Sequence, residues 1–360
     1  MVSFGRAITV PSGADYSGLG TQLKSDELET RGSLLLVEPG HPVFPWAAGV
    51  PVSGSAMPNA VDTSARAILG SSTAPVFTFQ GLNGVSGKVE RTSKGALHGI
   101  VSPIATTPGS ATIELPPALM AYLIANPTHS YYYSLWDRQT RLGADPQPQR
   151  VIVGQADSIK QHMSAYKSGM RPSAGWGTRI NAANETASAL GTGRHAISVN
   201  GWYSSAPAAN DPIEGRVKWG GIGYFNSGTA GSNLPSFALY RLYIEDLTVS
   251  GRTHAQVSAL DDAMFTNAFA LGGRYANDVI APVPSSVSPA AATSGATMTI
   301  TGTGFTGVTA VNIGGLPATN VTVVSDTQVT CTVPSGSAGI ASIVMQAGSR
   351  SSDSFPYTRG

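Results

Sequence analysis

Hydrophobic and polar positions alternate in short runs over the C-terminal part of the chain. Val, Ile and Thr dominate the runs at 298–300, 308–313, 321–324, 328–333 and 340–345. Turn-forming Gly, Pro, Ser and Asn separate them at 302–304, 314–317, 325–327 and 334–338. This alternation between frequent turn signals predicts a small sandwich of short β-strands.

The same pattern continues through the preceding part of the chain, from residue 34 to residue 278. Apolar or alternating runs predict strands at 34–37, 75–79, 109–115, 130–136, 151–153, 195–199, 215–219 and 237–247. Two helices are predicted between them. The first, at 116–124, opens on two prolines, and the second follows a capping box formed by Thr253 and Gln256.

The strand at 237–247 has the clearest alternation, whereas the N-terminus has little. Alternation predicts two faces of this strand, one with Tyr240, Leu242 and Ile244 and the other with Arg241, Tyr243 and Glu245. Residues 1–30 are polar and Gly-rich, and we interpret them as an N-terminal arm that packs on neighbouring molecules. A disordered tail is the alternative interpretation.

The C-terminal strands carry a recognisable order of residues. Two prolines, Pro284 and Pro289, precede the segments 300–305 (ITGTGF), 311–318 (VNIGGLPA) and 323–334 (VVSDTQVTCTVP). This order resembles an IPT/TIG domain, a small immunoglobulin-like fold. Such domains are appended to cell-surface receptors, extracellular enzymes and phage virion proteins, so the resemblance implies binding or spacing and not catalysis.

The end of the preceding region resembles a second family. Residues 238–256 form a strand that ends in Leu247, a turn at Ser250 and a short capped helix, which is similar to the last strand of concanavalin A-like/laminin G-like jelly rolls. The run SYYYSLW at 130–136 also resembles stretches of phage structural proteins. We therefore predict an all-β chain with three parts: an arm at 1–30, a concanavalin-like β-sandwich (jelly roll) at 31–280 and an IPT/TIG domain at 281–360.

Composition limits the partners and the compartment. Only 12% of residues are charged and the net charge is +1, with no Lys/Arg block, so no nucleic-acid partner is predicted. The single cysteine, Cys331, excludes a disulfide within the chain. We expect neither a signal peptide nor a membrane span. These expectations favour a protein that is made in a host cytoplasm and becomes part of a virion.

One glycine pattern imitates a cofactor site. The segment from Gly302 to Gly307 fits the G-x-G-x-x-G fingerprint of dinucleotide binding, which requires a helix after the third glycine. The residues that follow are β-branched at alternate positions and predict a strand instead. We therefore assign these glycines to turns and predict no cofactor.

Candidate catalytic and metal-binding groups are scattered along the sequence. The histidines lack metal-ligand spacing. Glycoside hydrolysis requires two carboxylates across the sugar bond, but Glu245 and Asp246 point to opposite faces of a strand, and Asp211 and Glu214 are expected in a loop. Asp137, Asp211 and Asp246 are alternatives for calcium, and solvated carboxylates are the simpler interpretation. No catalytic residue and no metal site are predicted.

Aromatic residues beside glycines are the remaining candidates for binding. Trp176 lies between two glycines, and Trp202 and Tyr203 follow Gly201, as in surfaces that stack against sugars. Filling of the core is the alternative role for such rings.

These patterns together favour a non-enzymatic virion structural protein of a bacteriophage, such as a head decoration, fibre or tail component. It would contact other virion proteins, form a homo-oligomer and adhere to a host-surface glycan. One alternative is a carbohydrate-binding receptor-recognition protein or polysaccharide depolymerase of a phage tail. A bacterial surface adhesin is the other.

The strand register of the C-terminal domain makes Phe305 a core anchor, because it follows the turn at Gly302–Gly304. Phe305→Ala should lower the free energy of unfolding by about 3–5 kcal/mol, measured by chemical denaturation. A loss below about 1 kcal/mol would show that this register is wrong.

Overall fold

Two β-sandwich domains follow one another along the chain, which confirms the predicted all-β fold class. The computed structural model describes residues 26–46, 49–82, 87–106, 108–144, 150–155, 161–166, 169–171, 190–202, 208, 213–221 and 230–360. Among these residues, none of the helices combines the length and the apolar character that crossing a membrane requires.

The first domain contains twelve strands and four helices among its described residues. The strands are β1 (Ser33–Val37), β2 (Val76–Gln80), β3 (Gly87–Arg91), β4 (Leu97–Val101), β5 (Ser110–Glu114), β6 (Ser130–Arg141), β7 (Val151–Gln155), β8 (Gln161–Tyr166), β9 (Gly169–Arg171), β10 (Gly191–Asn200), β11 (Ile213–Gly220) and β12 (Ser236–Asp246). The helices are α1 (Asp62–Leu69), α2 (Pro117–Ala125), α3 (Leu247–Ser250) and α4 (His254–Phe269), and a 3-10 turn spans Gly231–Asn233.

These strands form two antiparallel sheets that pack face to face. The first sheet has the order β10-β6-β12-β4-β3, and β1 pairs with the second half of β12. The second sheet has the order β2-β5-β11-β7-β8-β9. The predicted strands and helices all have counterparts here, while sequence analysis missed β3, β4, β8, β9, α1 and α3.

The two sheets meet in a core whose closest contact depends on a glycine. The ring of Trp219 on β11 stacks on Phe237 of β12 with centroids 5.1 Å apart, and its indole N–H donates to the Phe237 carbonyl at 2.9 Å. A Cβ atom at Gly99 on β4 would lie 2.2 Å from the same indole. Gly99 therefore allows the ring to lie directly against the opposite sheet.

A β-bulge in β12 corrects the predicted faces of that strand. Leu239 pairs with Asp137 and Arg241 pairs with Trp136, which leaves Tyr240 as an extra residue. The extra residue shifts the alternation, so Leu239, Leu242 and Ile244 face the core between the sheets. Tyr240 packs instead on the opposite face with Trp136, and its predicted grouping with Leu242 and Ile244 is wrong.

A buried carboxylate fixes α4 to the outer face of the first sheet. Asp261 on α4 is fully buried and accepts hydrogen bonds from Tyr132 Oη (2.9 Å), Ser134 Oγ (2.6 Å) and Trp136 Nε1 (3.0 Å), which are alternate residues of β6. Arg194 of β10 donates to the same carboxylate at 3.0 Å. The capping box of Thr253 and Gln256 begins α4 as predicted.

The end of the predicted N-terminal arm packs on the same face of its own chain. Asp26 accepts two hydrogen bonds from the guanidinium of Arg241, at 2.6 and 2.9 Å, and Glu38 accepts a third at 2.7 Å. Although burial opposes ionisation, Arg241 holds the pKa of Asp26 well below its usual range. Leu28 is fully buried beside them. The sandwich therefore includes residues from Asp26 onward and not only from residue 31, while residues 1–25 lie outside the described part.

The second domain consists of ten strands in two sheets. They are β13 (Val283–Ser288), β14 (Ala291–Ala292), β15 (Thr297–Thr303), β16 (Ala310–Ile313), β17 (Leu316–Pro317), β18 (Thr319–Ser325), β19 (Gln328–Thr332), β20 (Gly339–Ala347), β21 (Arg350–Ser351) and β22 (Phe355–Arg359). One sheet has the order β13-β15-β19-β18 and the other β14-β22-β20-β16-β17, with β21 paired to β20.

The core of this second sandwich has the predicted register. Phe305 is fully buried with Met298, Ile300 and Val329 around it. Gly304 and Gly307 have positive φ angles of 72° and 83° and lie in a turn, as predicted, whereas Gly302, predicted in the same turn, lies in β15. Cys331 is buried and unpaired.

The connection between the domains is bonded to both of them. Pro282 and Pro284 lie at this connection, where Val283 already begins β13, and Ala281 and Val283 are buried against Ile100. The backbone N–H of Ala281 donates to Glu90 Oε1 at 2.6 Å, and Thr303 Oγ1 donates to the Thr140 carbonyl at 2.7 Å. Groups of the first domain thus bury the connector and accept its hydrogen bonds.

Removal of the Asp261 carboxylate should leave its four hydrogen-bond donors without this acceptor. Asp261→Ala is expected to lower the free energy of unfolding by about 3–5 kcal/mol, because it leaves Arg194 as a charge without its buried partner. Chemical denaturation monitored by tryptophan fluorescence measures this loss. The neighbouring Asp262, whose side chain is 63% exposed and also contacts Arg194, is the matched control. Asp262→Ala should change stability by no more than about 0.5 kcal/mol, and equal losses in both variants would contradict the anchoring role.

Glu90 should make the junction sensitive to acid. Burial opposes its ionisation, but hydrogen bonds from His98 and Ala281 lower its pKa below the usual range. A lowered pKa stabilises the folded state above the unfolded pKa of about 4.3, and this stability is lost as the pH falls. Glu90→Gln should therefore cost about 1–3 kcal/mol at neutral pH and progressively less below about pH 4.

Unfolding free energies of wild type and Glu90→Gln between about pH 3 and pH 8 test this prediction. The exposed Glu27→Gln is the control and should follow the wild-type curve. A difference between wild type and Glu90→Gln that does not vary with pH would show that the charge of Glu90 is unimportant at the junction.

Candidate ligand cleft between the two domains

A cleft of about 510 Å³ opens where the two sandwiches meet. Ligand sites occur preferentially at such domain interfaces. The walls come from β6, α4, the segment that follows α4, and two turns of the second domain. The lining residues are Arg138, Thr192, Tyr240, Phe269, Tyr275, Asn277, Asp278, Val279, Ile280, Gly304, Thr306 and Asp326.

The wall from the first domain is fixed by Asp278, which follows α4. Its carboxylate accepts hydrogen bonds from Tyr240 Oη at 2.8 Å, Ser93 Oγ at 2.9 Å and the backbone N–H of Lys94 at 2.8 Å. These bonds join the end of the α4 segment to β12 and to the turn after β3. Because the carboxylate is buried and fully engaged, its role is to hold this wall in place.

The wall from the second domain is fixed by Asp326, in the turn between β18 and β19. Its carboxylate accepts hydrogen bonds from the backbone of Gly304 at 3.3 Å and from both the backbone (3.1 Å) and the hydroxyl (2.7 Å) of Thr306. A Cβ atom at Gly304 would lie 2.7 Å from Ile280, so only glycine fits this turn against the first domain. The segment that resembles a dinucleotide fingerprint therefore forms one wall of the cleft.

Arg138 of β6 bridges the two walls. One guanidinium nitrogen donates to the Asp278 carbonyl at 3.1 Å and another donates to the Asp326 carboxylate at 3.2 Å. The Arg138 and Asp326 side chains are 19% and 41% exposed, so this ion pair is open to solvent at the cleft.

Aromatic rings line the floor beside these polar groups. Phe269 is half-buried and packs against Tyr240 and Tyr275, with ring centroids 4.8 and 5.4 Å apart. Burial and the Asp278 carboxylate raise the pKa of Tyr240, which therefore remains a neutral hydrogen-bond donor. Exposed Asn277, with a positive φ of 54°, presents its amide at the rim. The cleft therefore combines an apolar ring surface with an amide and a guanidinium, as pockets for small ligands commonly do.

The aromatic residues predicted to stack on sugars lie elsewhere. Trp202 follows β10 and is half-buried, its indole N–H donates to the Leu123 carbonyl at 3.2 Å, and its ring meets His162 edge-on at 4.9 Å. These contacts describe packing against the core. Trp176 and Tyr203 lie outside the described residues, and the sugar-stacking role of all three stays a prediction.

The carboxylates considered for catalysis or calcium have separate structural partners. Asp246 accepts from Tyr122 Oη (2.8 Å), His129 Nδ1 (2.6 Å) and the backbone N–H of Val249 (3.0 Å). Glu245 accepts from Arg252 Nε at 2.9 Å, and Asp137 is ion-paired with Arg150. Asp137 and Asp246 are buried, so the interpretation as solvated carboxylates is wrong for these two, and Glu245 is buried as well. Asp211 lies outside the described residues.

Glu214 is on a strand and not in the predicted loop. It occupies β11, two residues from Arg216, whose register partner on β5 is Glu114. Arg216 is ion-paired with both Glu214 and Glu114. Sequence analysis missed this arrangement because the two glutamates are one hundred positions apart and only strand pairing brings them to one face.

Three metal-ligand side chains also converge without being predicted. Oxygen and nitrogen atoms of Asp26, Glu38 and His41 lie within 4.8 Å of one another in the described part of the chain. Nδ1 of His41 accepts backbone hydrogen bonds from Val43 at 3.1 Å and Phe44 at 2.9 Å, so the ring proton is on Nε2 and no lone pair faces the carboxylates. The Arg241 guanidinium already lies between the two acids, and the cluster therefore does not fit a metal ion.

One known family matches the second domain, and several solved structures resemble the chain at low sequence identity. Residues 282–358 match the IPT/TIG domain family. No curated protein matches the chain significantly. An auxiliary nutrient binding protein from Bacteroides thetaiotaomicron shares 20% identity over 21% of this chain and 19% of its own, with a TM-score of 0.18.

Two other structures align over more of the chain. One is SGBP-B of the Bacteroides ovatus mixed-linkage glucan utilization locus in complex with a mixed-linkage heptasaccharide, with 11% identity, a TM-score of 0.20 and coverage of 72% and 43% of the two chains. The other is a botulinum neurotoxin type C whose cell entry depends on interaction with two ganglioside molecules, with 8% identity, a TM-score of 0.33 and coverage of 89% and 72%. These TM-scores are too low to assign a fold to the first domain. Its architecture is therefore described from its own two sheets. The family match and the two observed sheets agree, and residues 282–358 form an IPT/TIG domain.

Proposed function

We propose that the chain is a non-enzymatic structural protein of a bacteriophage virion, acting by packing against other virion proteins and by adhesion to a host-surface glycan. One observation carries the proposal: both domains build the cleft that contains Arg138, Asn277 and Phe269. Sugars offer an apolar ring face and many hydroxyls, and this cleft offers an aromatic ring with donors and acceptors around it.

Packing against other chains is supported by the uncharged character of the surface. Only 12% of all residues are charged. Large apolar side chains such as Leu271 (94% exposed) and Ile340 (93% exposed) lie on the described surface. The centres of protein interfaces are depleted in charge, so such a surface suits assembly into a homo-oligomer or a particle.

The state of the cysteine supports synthesis in a reducing cytoplasm. The IPT/TIG core closes around Cys331 as a free buried thiol, and burial raises its pKa to about 11. A thiol of this kind is unreactive and contributes only its volume to the core. An immunoglobulin-like domain of this kind can fold before lysis releases a particle.

The alternatives make different predictions about the same cleft. A receptor-recognition protein of a phage tail would also bind a glycan, whereas a polysaccharide depolymerase would cleave it. A bacterial surface adhesin would be found on cells and not in particles. Binding, cleavage and location therefore separate these functions.

Removal of the Asn277 side chain should weaken glycan binding. Asn277→Gly keeps the left-handed backbone, because glycine adopts positive φ freely, and deletes the amide at the rim. We expect the wild-type protein to bind at least one class on an array of bacterial capsular and lipopolysaccharide glycans. In titration calorimetry the variant should bind about tenfold more weakly, which corresponds to the loss of about one hydrogen bond.

The control is Asn320→Gly, which removes an asparagine on β18 that also has a positive φ, of 51°. Its glycan affinity should equal that of the wild type. Equal weakening in both variants, or no binding to any glycan, would contradict adhesion at this cleft. Release of new reducing ends from a bound polysaccharide would establish the depolymerase. Mass spectrometry of gradient-purified phage particles tests the location, and absence of the chain from them would reject the virion assignment.

A further inference from the structure

The charged side chains that line the interdomain cleft are already matched by partners of their own. Arg138 and Asp326 pair with each other at 3.2 Å, and the buried carboxylate of Asp278 accepts three hydrogen bonds from its own domain. An anionic ligand would meet two carboxylates and a guanidinium that already has its counter-ion. Because removing an unpaired charge from water is costly, the cleft favours an uncharged ligand.

The amide of Asn277 is an open hydrogen-bonding group at the rim of this cleft. It is exposed, and it makes no hydrogen bond with any residue that the structure describes. A carboxamide carries N–H donors and a carbonyl acceptor side by side. A secondary amide in a ligand presents the complementary pair, a carbonyl acceptor and an N–H donor, so the two groups can form two hydrogen bonds at once.

The backbone on both sides of Asn277 is anchored. Ala276 is buried and its N–H donates to the Gly273 carbonyl at 3.1 Å, while Asp278 on the other side is held by its three donors. Asn277 itself has a φ of 54°, in the left-handed region that asparagine tolerates better than most residues. The amide therefore starts from a fixed position, which reduces the entropy lost when a ligand binds.

An apolar side chain lies two positions after this amide. Val279 lines the cleft and is 40% exposed. Its N–H donates to Ser93 Oγ at 2.8 Å and its carbonyl accepts from the Ser93 N–H at 3.0 Å, so the backbone beneath the side chain is fixed. The half-buried ring of Phe269 lines the same cleft. An exposed apolar surface in a cleft with an open amide is suited to a ligand that carries a methyl group beside an amide.

The opposite side of the cleft offers a hydroxyl. Thr192 on β10 is exposed and is the register partner of Arg138 on β6. Within the described part of the chain this hydroxyl has no hydrogen-bond partner. A threonine hydroxyl both donates and accepts, which matches the hydroxyl groups of a sugar ring.

We propose that the interdomain cleft binds an N-acetylated amino sugar within a neutral glycan. The acetamido group pairs with the amide of Asn277, its methyl group lies against Val279, and a ring hydroxyl binds Thr192. This inference rests on the proposed function, because it names the class of sugar recognised at the adhesion site. A neutral glycan without acetamido groups supplies neither the amide nor the methyl group.

Removal of the acetyl groups from a bound glycan tests this inference on the full-length chain. On an array of bacterial capsular and lipopolysaccharide glycans, the wild-type protein should bind those that contain acetamido groups. The glycan bound most tightly is then de-N-acetylated with base and re-N-acetylated with acetic anhydride. Titration calorimetry should show about a tenfold loss of affinity after the first step, as for one to two hydrogen bonds, and recovery after the second.

Asn277→Asp should abolish the preference for the acetylated form. Aspartate keeps the size of the side chain and tolerates the left-handed backbone, but it has no donor for the acetyl carbonyl. It also attracts the ammonium group of the de-N-acetylated sugar. At about pH 6, where aspartate and an amine are both charged, the ratio of the two affinities should fall from about ten to about one or below.

The control is Asn320→Asp, the same substitution on β18 at a positive φ of 51° and outside the cleft. Its ratio of affinities should equal that of the wild type. An unchanged ratio in Asn277→Asp, tightest binding to glycans without acetamido groups, or unchanged affinity after de-N-acetylation would overturn the inference and leave glycan adhesion standing. Failure of the wild-type protein to bind any glycan would reject the adhesion and this inference together.

Discussion

The outer face of the first sheet depends on one buried carboxylate. Asp261 receives hydrogen bonds from Tyr132, Ser134 and Trp136 on β6 and an ion pair from Arg194 on β10. A carboxylate in such a place is stable only when its charge is compensated and its lone pairs are used. Every donor that Asp261 requires lies on an outward-facing position of adjacent strands, so the carboxylate fixes the position of α4 relative to the sheet.

Covering this face decides where ligands have access. The α4 helix, the first described residues and the Asp26–Arg241–Glu38 group all pack on this face of the first sheet. Polar and apolar groups remain open at the edge of α4, where the second domain joins, and beside α2 on the second sheet. The interdomain cleft thus lies beside α4, at a place that the helix does not cover.

The junction between the domains uses charged groups although the chain has few of them. Glu90 binds the connector backbone and His98, and Arg138 joins Asp278 to Asp326 across the cleft. Lys88 is half-buried and Asp353 is buried at this junction, and burial lowers the pKa of the lysine and raises that of the aspartate. Hydrogen bonds of this kind are directional, so they specify one arrangement of the two sandwiches where an apolar contact would permit several.

The sequence by itself determined the strands with clear apolar runs, the capped helix α4, the immunoglobulin-like C-terminal domain and the burial of Phe305, because alternation, capping and turn glycines act between near neighbours. It did not determine the face of Tyr240, since a bulge depends on the partner strand. It also placed Glu214 in a loop, whereas pairing between β11 and β5 brings it beside Arg216 and Glu114. The cleft of Arg138, Asp278 and Asp326 joins residues from two domains. Only the tertiary structure decided these sites, because their energy comes from contacts between distant positions that leave no periodic pattern in the chain.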